Sequence, residues 1–303
     1  MSSRLRLEIA EAVVARGLWG RGDRVAIAVS GGLDSVALLD LLVASAGVHG
    51  GRLSVVTVDH GTRPDSAEDA RFVHGMAEGL GLSCVIVTLA LGPSASENTC
   101  RQARYGALDA LDLERVALAH HADDQAETAL LALLRGGGTR AVAGMAWRRG
   151  RYVRPLLDRP KAALAAWAES RGLSWREDPT NAEPRFLRNR VRHELIPALD
   201  ALRGGAREAL ARAATHAAED DDWIQDASRA AEVLGTSEKL DMAWVATGPA
   251  PLVRRALLRR LPDATSGQLD AVIRACRAGR GKVALSEVVA VLVEDGVVSI
   301  LRA

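Results

Sequence analysis

Apolar runs of strand length alternate with amphipathic segments of helix length through the first half of the chain. The runs are apolar on both faces, which is typical of a parallel sheet that helices cover on each side. They lie at 24–29, 53–58, 83–89 and 115–120. Helical periodicity follows them at about 33–46, 66–81, 98–111 and 123–134. This alternation requires crossover connections and predicts a doubly wound α/β domain with a mostly parallel, Rossmann-like sheet.

The pattern changes in the second half of the chain. A helix is predicted between Pro160 and Gly172, and the polar segment 177–189, which contains two prolines, predicts an ordered loop. A long Ala/Arg/Glu helix and short strands with a hairpin turn at Asp295-Gly296 follow, and they predict a smaller helical or α+β domain. The predicted domains are 1–200 and 201–303.

Composition narrows the class of protein. The 303 residues are 48% hydrophobic and 25% charged, enough for a globular core without disulfides. Cys84, Cys100 and Cys276 have no metal-binding spacing, so we expect a reducing, cytoplasmic compartment. Glu8 and Glu11 interrupt the N-terminal segment, which therefore does not resemble a signal peptide. No apolar run approaches the ~20 residues of a membrane span, and we expect no membrane partner.

Charge is unevenly distributed, although the formal net charge is only +1. Acidic residues outnumber arginines between residues 59 and 135, whereas basic residues outnumber acidic ones between residues 140 and 212. This asymmetry predicts an acidic, metal-binding catalytic half and a basic half that faces a polyanion. The alternative is a simple compositional bias, because the chain is rich in arginine throughout.

The segment AVSGGLDS, residues 28–35, predicts a phosphate-binding loop between a strand and a helix. Gly31 and Gly32 permit close backbone approach, and N–H groups at the start of a helix attract anions. Asp34 implies either Mg²⁺ or a polar partner, because a carboxylate cannot bind phosphate directly without a cation between them. The loop lacks the lysine of nucleotide-hydrolase loops, which favours a departing pyrophosphate held by backbone donors. Alternatively, the glycines form only a tight turn with Ser30 as the N-cap of the helix.

Polar residues also follow the second and fourth predicted strands, where ligands bind in doubly wound folds. His60 ends the second strand, and the segment HHADD, residues 120–124, follows the fourth. Asp123 and Asp124 can cap the helix that they open, but together with Asp34 they can also hold Mg²⁺ or an amine. His120 and His121 are either packed histidines at the strand end or ligand contacts.

Two groups of arginines are candidates for anion binding. Arg101 and Arg104 share one face of a predicted helix, which suits a phosphate unless that face is simply solvated. The segment 188–193 is densely basic, and Arg188 and Arg192 are its candidate contacts to RNA or nucleotide. The alternative for this segment is a solvated helix face.

Five ordered motifs between about residues 20 and 200 resemble those of the tRNA(Ile)-lysidine synthetases, a family of PP-loop ATP-pyrophosphatases. AVSGGLDS is similar to the PP-loop pattern S-G-G-x-D-S, which the whole superfamily shares. The segments that favour the lysidine synthetases are VDHGTRPDS at 58–66, CRQARYGAL at 100–108, HHADDQAET at 120–128 with its continuation to 145, and EDPTNAEPRFLRNRVRHELIPAL at 177–199. The tail from about 205 is only weakly similar.

The resemblance implies a ligase that adenylates the wobble cytidine of tRNA(Ile) with the anticodon CAU and then replaces AMP with free L-lysine. ATP and Mg²⁺ are the implied cofactors, and residues 201–303 would contact tRNA. A homodimer is one possible oligomeric state. The implied catalytic residues are Asp34, Arg101, Arg104 and Asp124. The implied nucleotide-binding residues are Ser30, Gly31, Gly32, Leu33, Asp34, Ser35 and His60, with Asp34 as metal ligand. The implied substrate-binding residues are His121, Asp123, Arg188 and Arg192.

Three other functions compete with this interpretation. A tRNA cytidine 2-thiolase of the same superfamily typically carries closely spaced cysteines for an iron–sulfur cluster, and this chain lacks that spacing. A non-catalytic nucleotide- or RNA-binding module has no need of Asp34, Asp123 and Asp124 together. An amidating PP-loop synthetase acts on a small molecule and has no need of the basic half.

Overall fold

The computed structural model describes residues 2–62, 65–92, 95–176, 187–233 and 240–302. It contains two compact units, Met1–Thr215 and His216–Ala303. The boundary predicted from the sequence, between residues 200 and 201, lies closer to the N-terminus than this division. None of the helices within the described ranges is long and apolar enough to cross a membrane.

The first unit contains a six-stranded sheet with the strand order β3-β2-β1-β4-β6-β5. All neighbouring strands are parallel except the short edge strand β5, which pairs antiparallel with β6. The strands are β1 (Arg24–Ala28), β2 (Arg52–Asp59), β3 (Cys84–Thr88), β4 (Arg115–Ala117), β5 (Arg148–Arg149) and β6 (Tyr152–Val153). The mostly parallel sheet and its four predicted strands are confirmed.

Helices connect the strands and cover the sheet. Those of the first unit are α1 (Ser2–Ala15), α2 (Leu33–Ala44), α3 (Ala46–His49), α4 (Ser66–Gly79), α5 (Glu97–Asp109), α6 (Ala122–Leu134), α7 (Thr139–Val142), α8 (Lys161–Ser170), α9 (Leu187–Arg190) and α10 (Ile196–Leu202). A π-helical turn, Val191–Leu195, joins α9 to α10. The long helix α11 (Ala206–Val233) begins in the first unit and ends in the second.

Apolar side chains pack on both faces of the sheet. Val25 and Ile27 of β1 belong to a cluster with α2 and α8, whereas Ala26 belongs to a separate cluster with Leu108 of α5. Alternating residues of β1 therefore face opposite layers, which explains why the strand is apolar along its whole length. Each leucine buried in these layers contributes about 1.5–3 kcal/mol.

The carboxyl ends of β1, β2 and β4 lie along one edge of the sheet. Val29 N–H donates to the Val56 carbonyl, and Leu118 N–H donates to the Val153 carbonyl, so the parallel pairing continues to this edge. The loops that follow β1 and β4 lead directly into α2 and α6. This edge is where doubly wound folds bind ligands, because the helix N-termini face it.

The second unit combines helices with a four-stranded antiparallel sheet in the order β7-β10-β9-β8. Its elements are β7 (Leu240–Asp241), α12 (Met242–Thr247), α13 (Ala250–Arg260), α14 (Ser266–Arg277), β8 (Gly281–Ala284), β9 (Val289–Glu294) and β10 (Val297–Arg302). Asp295 and Gly296 have φ values of 49° and 77°, as a two-residue hairpin turn between β9 and β10 requires. The predicted α+β composition and hairpin turn are confirmed.

Two predicted features fall wholly or partly outside the described residues. The loop predicted at 177–189 lies outside them up to residue 186, and its last residues begin α9. Arg63 of the segment VDHGTRPDS also lies outside them.

Candidate active site

The phosphate loop runs from the end of β1 to the first turn of α2. Gly31 has a φ of +87°, a left-handed conformation that favours glycine, and Gly32 is the extended residue at which α2 begins. The Ser35 hydroxyl donates to the Gly32 carbonyl (2.8 Å) and accepts from the Ser30 N–H (3.1 Å). Ser30 is therefore not the N-cap of α2, and the alternative of a serine-capped turn is wrong. The first N–H groups of α2, from Leu33 onward, are those that a helix leaves without an internal partner.

Asp34 lies in the first turn of α2 and faces two basic side chains. Its Oδ2 atom is 3.4 Å from His121 Nε2 and 3.7 Å from Lys161 Nζ. Its Oδ1 atom is buried and has no hydrogen-bond partner among the described residues. The structure thus leaves one carboxylate oxygen of Asp34 available for a ligand.

Lys161 was not identified from the sequence. It is the first residue of α8, and its backbone N–H donates to Asp123 Oδ1 (2.9 Å), which fixes the start of that helix beside α6. The one sequence feature that singles out Lys161 is the rarity of lysine, since the chain contains only three lysines. A cation thus reaches the phosphate loop from a distant helix rather than from the loop itself.

His121 immediately precedes α6 and is only 3% exposed. Its ring lies within 4 Å of three carboxylates, those of Asp34, Asp123 and Asp124. Burial opposes protonation, but the hydrogen bond to Asp34 and the three negative charges outweigh it and raise the pKa of His121. The three carboxylates around His121 therefore favour its protonated form.

Asp123 is buried and links α6 to two other helices. It accepts from the Lys161 N–H at the start of α8 and from the Arg207 guanidinium at the start of α11. Burial alone would raise the pKa of Asp123, but these hydrogen bonds and the nearby charge of His121 lower it. Asp123 thus remains ionised and holds the helices together, a role that uses both of its oxygens.

Asp124 and Glu127 form a buried charge cluster with Arg188 and Arg192. Arg188 Nη2 is 3.0 Å from Asp124 Oδ1, and Arg188 Nε is 2.7 Å from Glu127 Oε2. Arg192 reaches the same two carboxylates, and Glu127 is 1% exposed. Burial opposes ionisation of Asp124, but the charges of His121 and Arg188 lower its pKa. Removal of one partner from such a buried cluster typically costs about 3–5 kcal/mol.

The basic segment 188–193 is therefore not simply a solvated helix face. Arg188 on α9 and Arg192 on the π-helical turn are four residues apart and point to the same carboxylates of α6. The predicted contact of these arginines with RNA or nucleotide stays a prediction. Glu127 was missed, and its position one helical turn after Asp124 was the available signal.

Arg101 and Arg104 lie on α5 against the ring of Tyr105. Their guanidinium carbons are 5.3 and 5.8 Å from the ring centroid, so the two arginines do share a side of the helix. Burial, against the opposing charge of Asp124 and together with the charges of Arg154, Arg101 and Arg104, lowers the pKa of His120 to about 3. The positive charges of the two arginines therefore influence His120, which follows β4 and precedes the acidic residues at the start of α6.

His60 directly follows β2, and its carbonyl accepts from the Leu91 N–H (3.2 Å). The turn is stabilised by the Asp59 carboxylate, which accepts from the Gly61 N–H (2.9 Å). His60 thus ends its strand at the edge where β1 and β4 also end, as the sequence predicts. Its contact with a nucleotide stays a prediction.

The donor set fits Mg²⁺ only if phosphate supplies most of the ligands. No group of three His, Cys, Asp or Glu side chains in the described part of the chain is arranged to hold a metal. Asp34 nevertheless presents a buried, unpartnered carboxylate oxygen. Mg²⁺ is usually bound by one or two carboxylates together with substrate phosphates and water, so one carboxylate beside a phosphate loop is consistent with it.

Comparisons with known proteins agree with this geometry. A family model described as a PP-loop domain matches residues 3–199. The chain is 41% identical over 252 residues to the tRNA(Ile)-lysidine synthase of Thermobifida fusca, covering 79% of this chain and 76% of that protein. It is 43% identical over 220 residues to the tRNA(Ile)-lysidine synthase of Geobacter sulfurreducens, covering 68% of this chain but only 46% of that longer relative.

A solved structure is similar in fold alone. It is a U34-tRNA thiolase from Methanococcus maripaludis, with a TM-score of 0.59 and 17% sequence identity, covering 72% of this chain and 79% of that one. The family match spans most of the first unit, including the phosphate loop, the carboxylates of α6 and the arginines of α5. The chain belongs to the tRNA(Ile)-lysidine synthase family of PP-loop, ATP-using ligases.

Proposed function

We propose that this chain joins free lysine to the wobble cytidine of tRNA(Ile) with the anticodon CAU. The observation that carries the proposal is the convergence of the phosphate loop with Asp34, His121 and Asp124 at one edge of the sheet. An ATP site and an acidic site for an amine would then lie side by side. Family membership supplies the RNA substrate.

The proposed reaction has two steps. The C2 oxygen of the cytidine attacks the α-phosphate of ATP, the bond between the α-phosphorus and the bridging oxygen breaks, and pyrophosphate leaves. The ε-amino nitrogen of lysine then bonds to C2 and loses a proton, and the bond between C2 and the oxygen of AMP breaks. The product is lysidine, which changes codon reading from AUG to AUA. Both steps need the reactants held in line.

The phosphates of ATP would lie against the loop from Ser30 to Ser35. Backbone N–H groups there donate to phosphate oxygens, and Lys161 pairs with the outer phosphates as they leave. Asp34 would hold Mg²⁺, which supplies positive charge to the departing pyrophosphate. Lys161 thereby takes the place of the lysine that is absent from the loop.

Asp124 would bind the ammonium group of the substrate lysine. Its pKa is lowered, because the charges of His121 and Arg188 overcome the effect of burial. A carboxylate of this kind stays ionised at neutral pH and attracts an ammonium group strongly, but it is a weak base. Orientation of the lysine is therefore its main role, with Glu127 supporting it through Arg188 and Arg192.

The developing negative charge would be stabilised from α5. Arg101 and Arg104 place two guanidinium groups near the end of β4, where the charge at the α-phosphate builds up. The cytosine must be unstacked to reach this position, which a single-stranded anticodon loop allows.

Exposed arginines beyond α6 would contact the tRNA backbone. Several basic residues of the 140–212 region are instead engaged with carboxylates, including Arg188, Arg192 and Arg207. The exposed arginines that remain for phosphate contacts include Arg140, Arg148, Arg149, Arg203 and Arg212. The predicted polyanion-binding half therefore depends on this smaller set.

Lysine incorporation tests the proposal. Labelled lysine should appear in a tRNA(Ile) transcript with the CAU anticodon only when ATP and Mg²⁺ are present. The matched control is the same transcript with uridine at the wobble position, which should accept no lysine. Sulfur transfer without lysine, or AMP release that does not depend on tRNA, would show that the chain has another function.

A further inference from the structure

Arg154 is a buried arginine that pairs with no carboxylate in the described part of the chain. It follows β6 and is only 4% exposed, and its Nη1 atom donates to the Ala146 carbonyl (2.8 Å). Among the described residues, no ion pair joins it to an acidic side chain, and its Nε atom is buried without a hydrogen-bond partner. An unpaired buried charge is costly, so a side chain of this kind calls for an anion from outside the chain.

Arg154 lies close enough to α5 to interact with Tyr105 and Arg101. The Arg154 guanidinium interacts electrostatically with the Tyr105 side chain, and Arg101 and Arg104 lie against the ring of that same tyrosine. Leu118 N–H donates to the Val153 carbonyl, so the residue after β6 is adjacent to the end of β4 and to His120. The three arginines and His120 thus come from α5, β4 and β6 to one place on the carboxyl edge.

The charges in this cluster repel one another. Burial lowers the pKa of Arg154, and the charge of Arg101 lowers it further. Burial likewise lowers the pKa of His120; the charge of Asp124 opposes this shift, and the charges of Arg154, Arg101 and Arg104 add to it. The Nδ1 atom of His120 is also buried without a hydrogen-bond partner in the described part of the chain. Two unpartnered nitrogen atoms therefore lie within one positively charged cluster.

We propose that Arg101, Arg104, His120 and Arg154 form a binding site for a phosphate oxyanion, with Arg154 as its buried positive charge. Guanidinium groups match the geometry and charge of phosphate, and burial strengthens the attraction. Arg154 contributes a buried positive charge beside Tyr105, the ring that Arg101 and Arg104 contact. The bound phosphate belongs either to the nucleotide or to the RNA backbone. The choice of these two candidate ligands rests on the proposed function, whereas the site itself does not.

Direct binding measurements on the full chain test this site without turnover. Arg154→Met and wild type are titrated calorimetrically with ATP and, separately, with an anticodon stem–loop RNA. Affinity for at least one of the two should fall about tenfold or more, the size expected for a lost charge-assisted interaction. A loss for ATP alone assigns the site to the nucleotide, and a loss for RNA alone assigns it to the backbone phosphate. Unchanged affinity for both would overturn the proposal.

Two further variants separate charge from packing. Arg154→Lys keeps the positive charge and should restore part of the affinity that Arg154→Met loses, whereas a purely structural role predicts no such rescue. Arg52→Met, an exposed arginine at the opposite end of β2, is the matched control and should bind both ligands normally. If Arg154→Met does not fold, the exposed Arg101→Met is measured instead, and retained affinity there overturns the site. If Arg154→Met loses binding but the wild-type chain never incorporates lysine, the phosphate site stands and only the proposed function is refuted.

Discussion

Lys161 Nζ lies 3.7 Å from Asp34 Oδ2, although the two residues belong to different helices. The phosphate loop itself contains no lysine, yet the fold delivers one to its first helical turn. Because α8 begins at Lys161 and its N–H is bound by Asp123, the side chain starts from a fixed point beside the loop. The lysine missing from the motif is thus supplied by tertiary structure.

Lys161→Met should weaken the binding of ATP and pyrophosphate about tenfold or more, because a charge-assisted contact to the outer phosphates is lost. Binding of AMP should change little, since AMP lacks those phosphates. Isothermal titration with the three ligands measures the difference. Lys282→Met, in the second unit, is the control and should bind all three normally. Equal losses of affinity for AMP and ATP would show that Lys161 does not contact the outer phosphates.

Asp34→Ala should abolish lysine incorporation without unfolding the chain. The carboxylate is partly exposed, and the buried His121 Nε2 that faces it retains Asp124 Oδ2 as a second carboxylate neighbour at 3.6 Å. Incorporation of labelled lysine and the thermal melting temperature report the two effects separately. Normal turnover by this variant would rule Asp34 out as the metal-binding residue.

Asp40→Ala, six residues further along α2, should reduce stability but leave lysine incorporation by the folded protein intact. Asp40 is buried and accepts from Trp167 Nε1 (2.9 Å) and Arg171 Nε (3.1 Å), so the variant leaves a buried donor without a partner. A destabilisation of about 1–3 kcal/mol is expected in urea unfolding. The remaining folded protein should still incorporate lysine, and a selective loss of activity at full stability would contradict this assignment.

Glu127→Gln should destabilise the first unit by about 3–5 kcal/mol, because Arg188 and Arg192 would lose a buried carboxylate. Activity should also fall, since both arginines position Asp124. Chemical unfolding followed by circular dichroism measures the first effect. Glu194→Gln removes an exposed partner of Arg190 and serves as the comparison, with an expected change below about 1 kcal/mol. Similar small effects of both variants would mean that the buried cluster contributes little.

Acid should destabilise the protein partly through Asp123. Burial opposes its ionisation, but its hydrogen bonds and the charge of His121 lower the pKa of Asp123 in the folded state. Its contribution to stability is therefore complete above the unfolded value of about 3.9 and is lost as the pH falls through the lower folded pKa. Asp123→Asn should show a flatter decline of unfolding free energy below about pH 4. An unchanged slope would exclude this residue as a source of acid sensitivity.

Local sequence patterns were sufficient to predict the strands, the helices and the chemistry of the loops. Apolar runs and helical periodicity predicted the four parallel strands and the helices after them, because alternation and 3.6-residue spacing are local properties of the backbone. The phosphate loop and the acidic start of α6 were identified for the same reason. Both lie where a strand passes directly into a helix, so a short stretch of sequence contains the whole motif.

Which charged side chains pair with one another depends on how the helices pack. Arg188 and Arg192 are separated from Asp124 by more than sixty residues, and their pairing with Asp124 and Glu127 depends on where α9 packs. The positions of Lys161 beside Asp34 and of the buried Arg154 depend on tertiary packing in the same way. Charge pairing depends on side-chain distances of a few ångströms and on burial, and no local pattern contains either quantity.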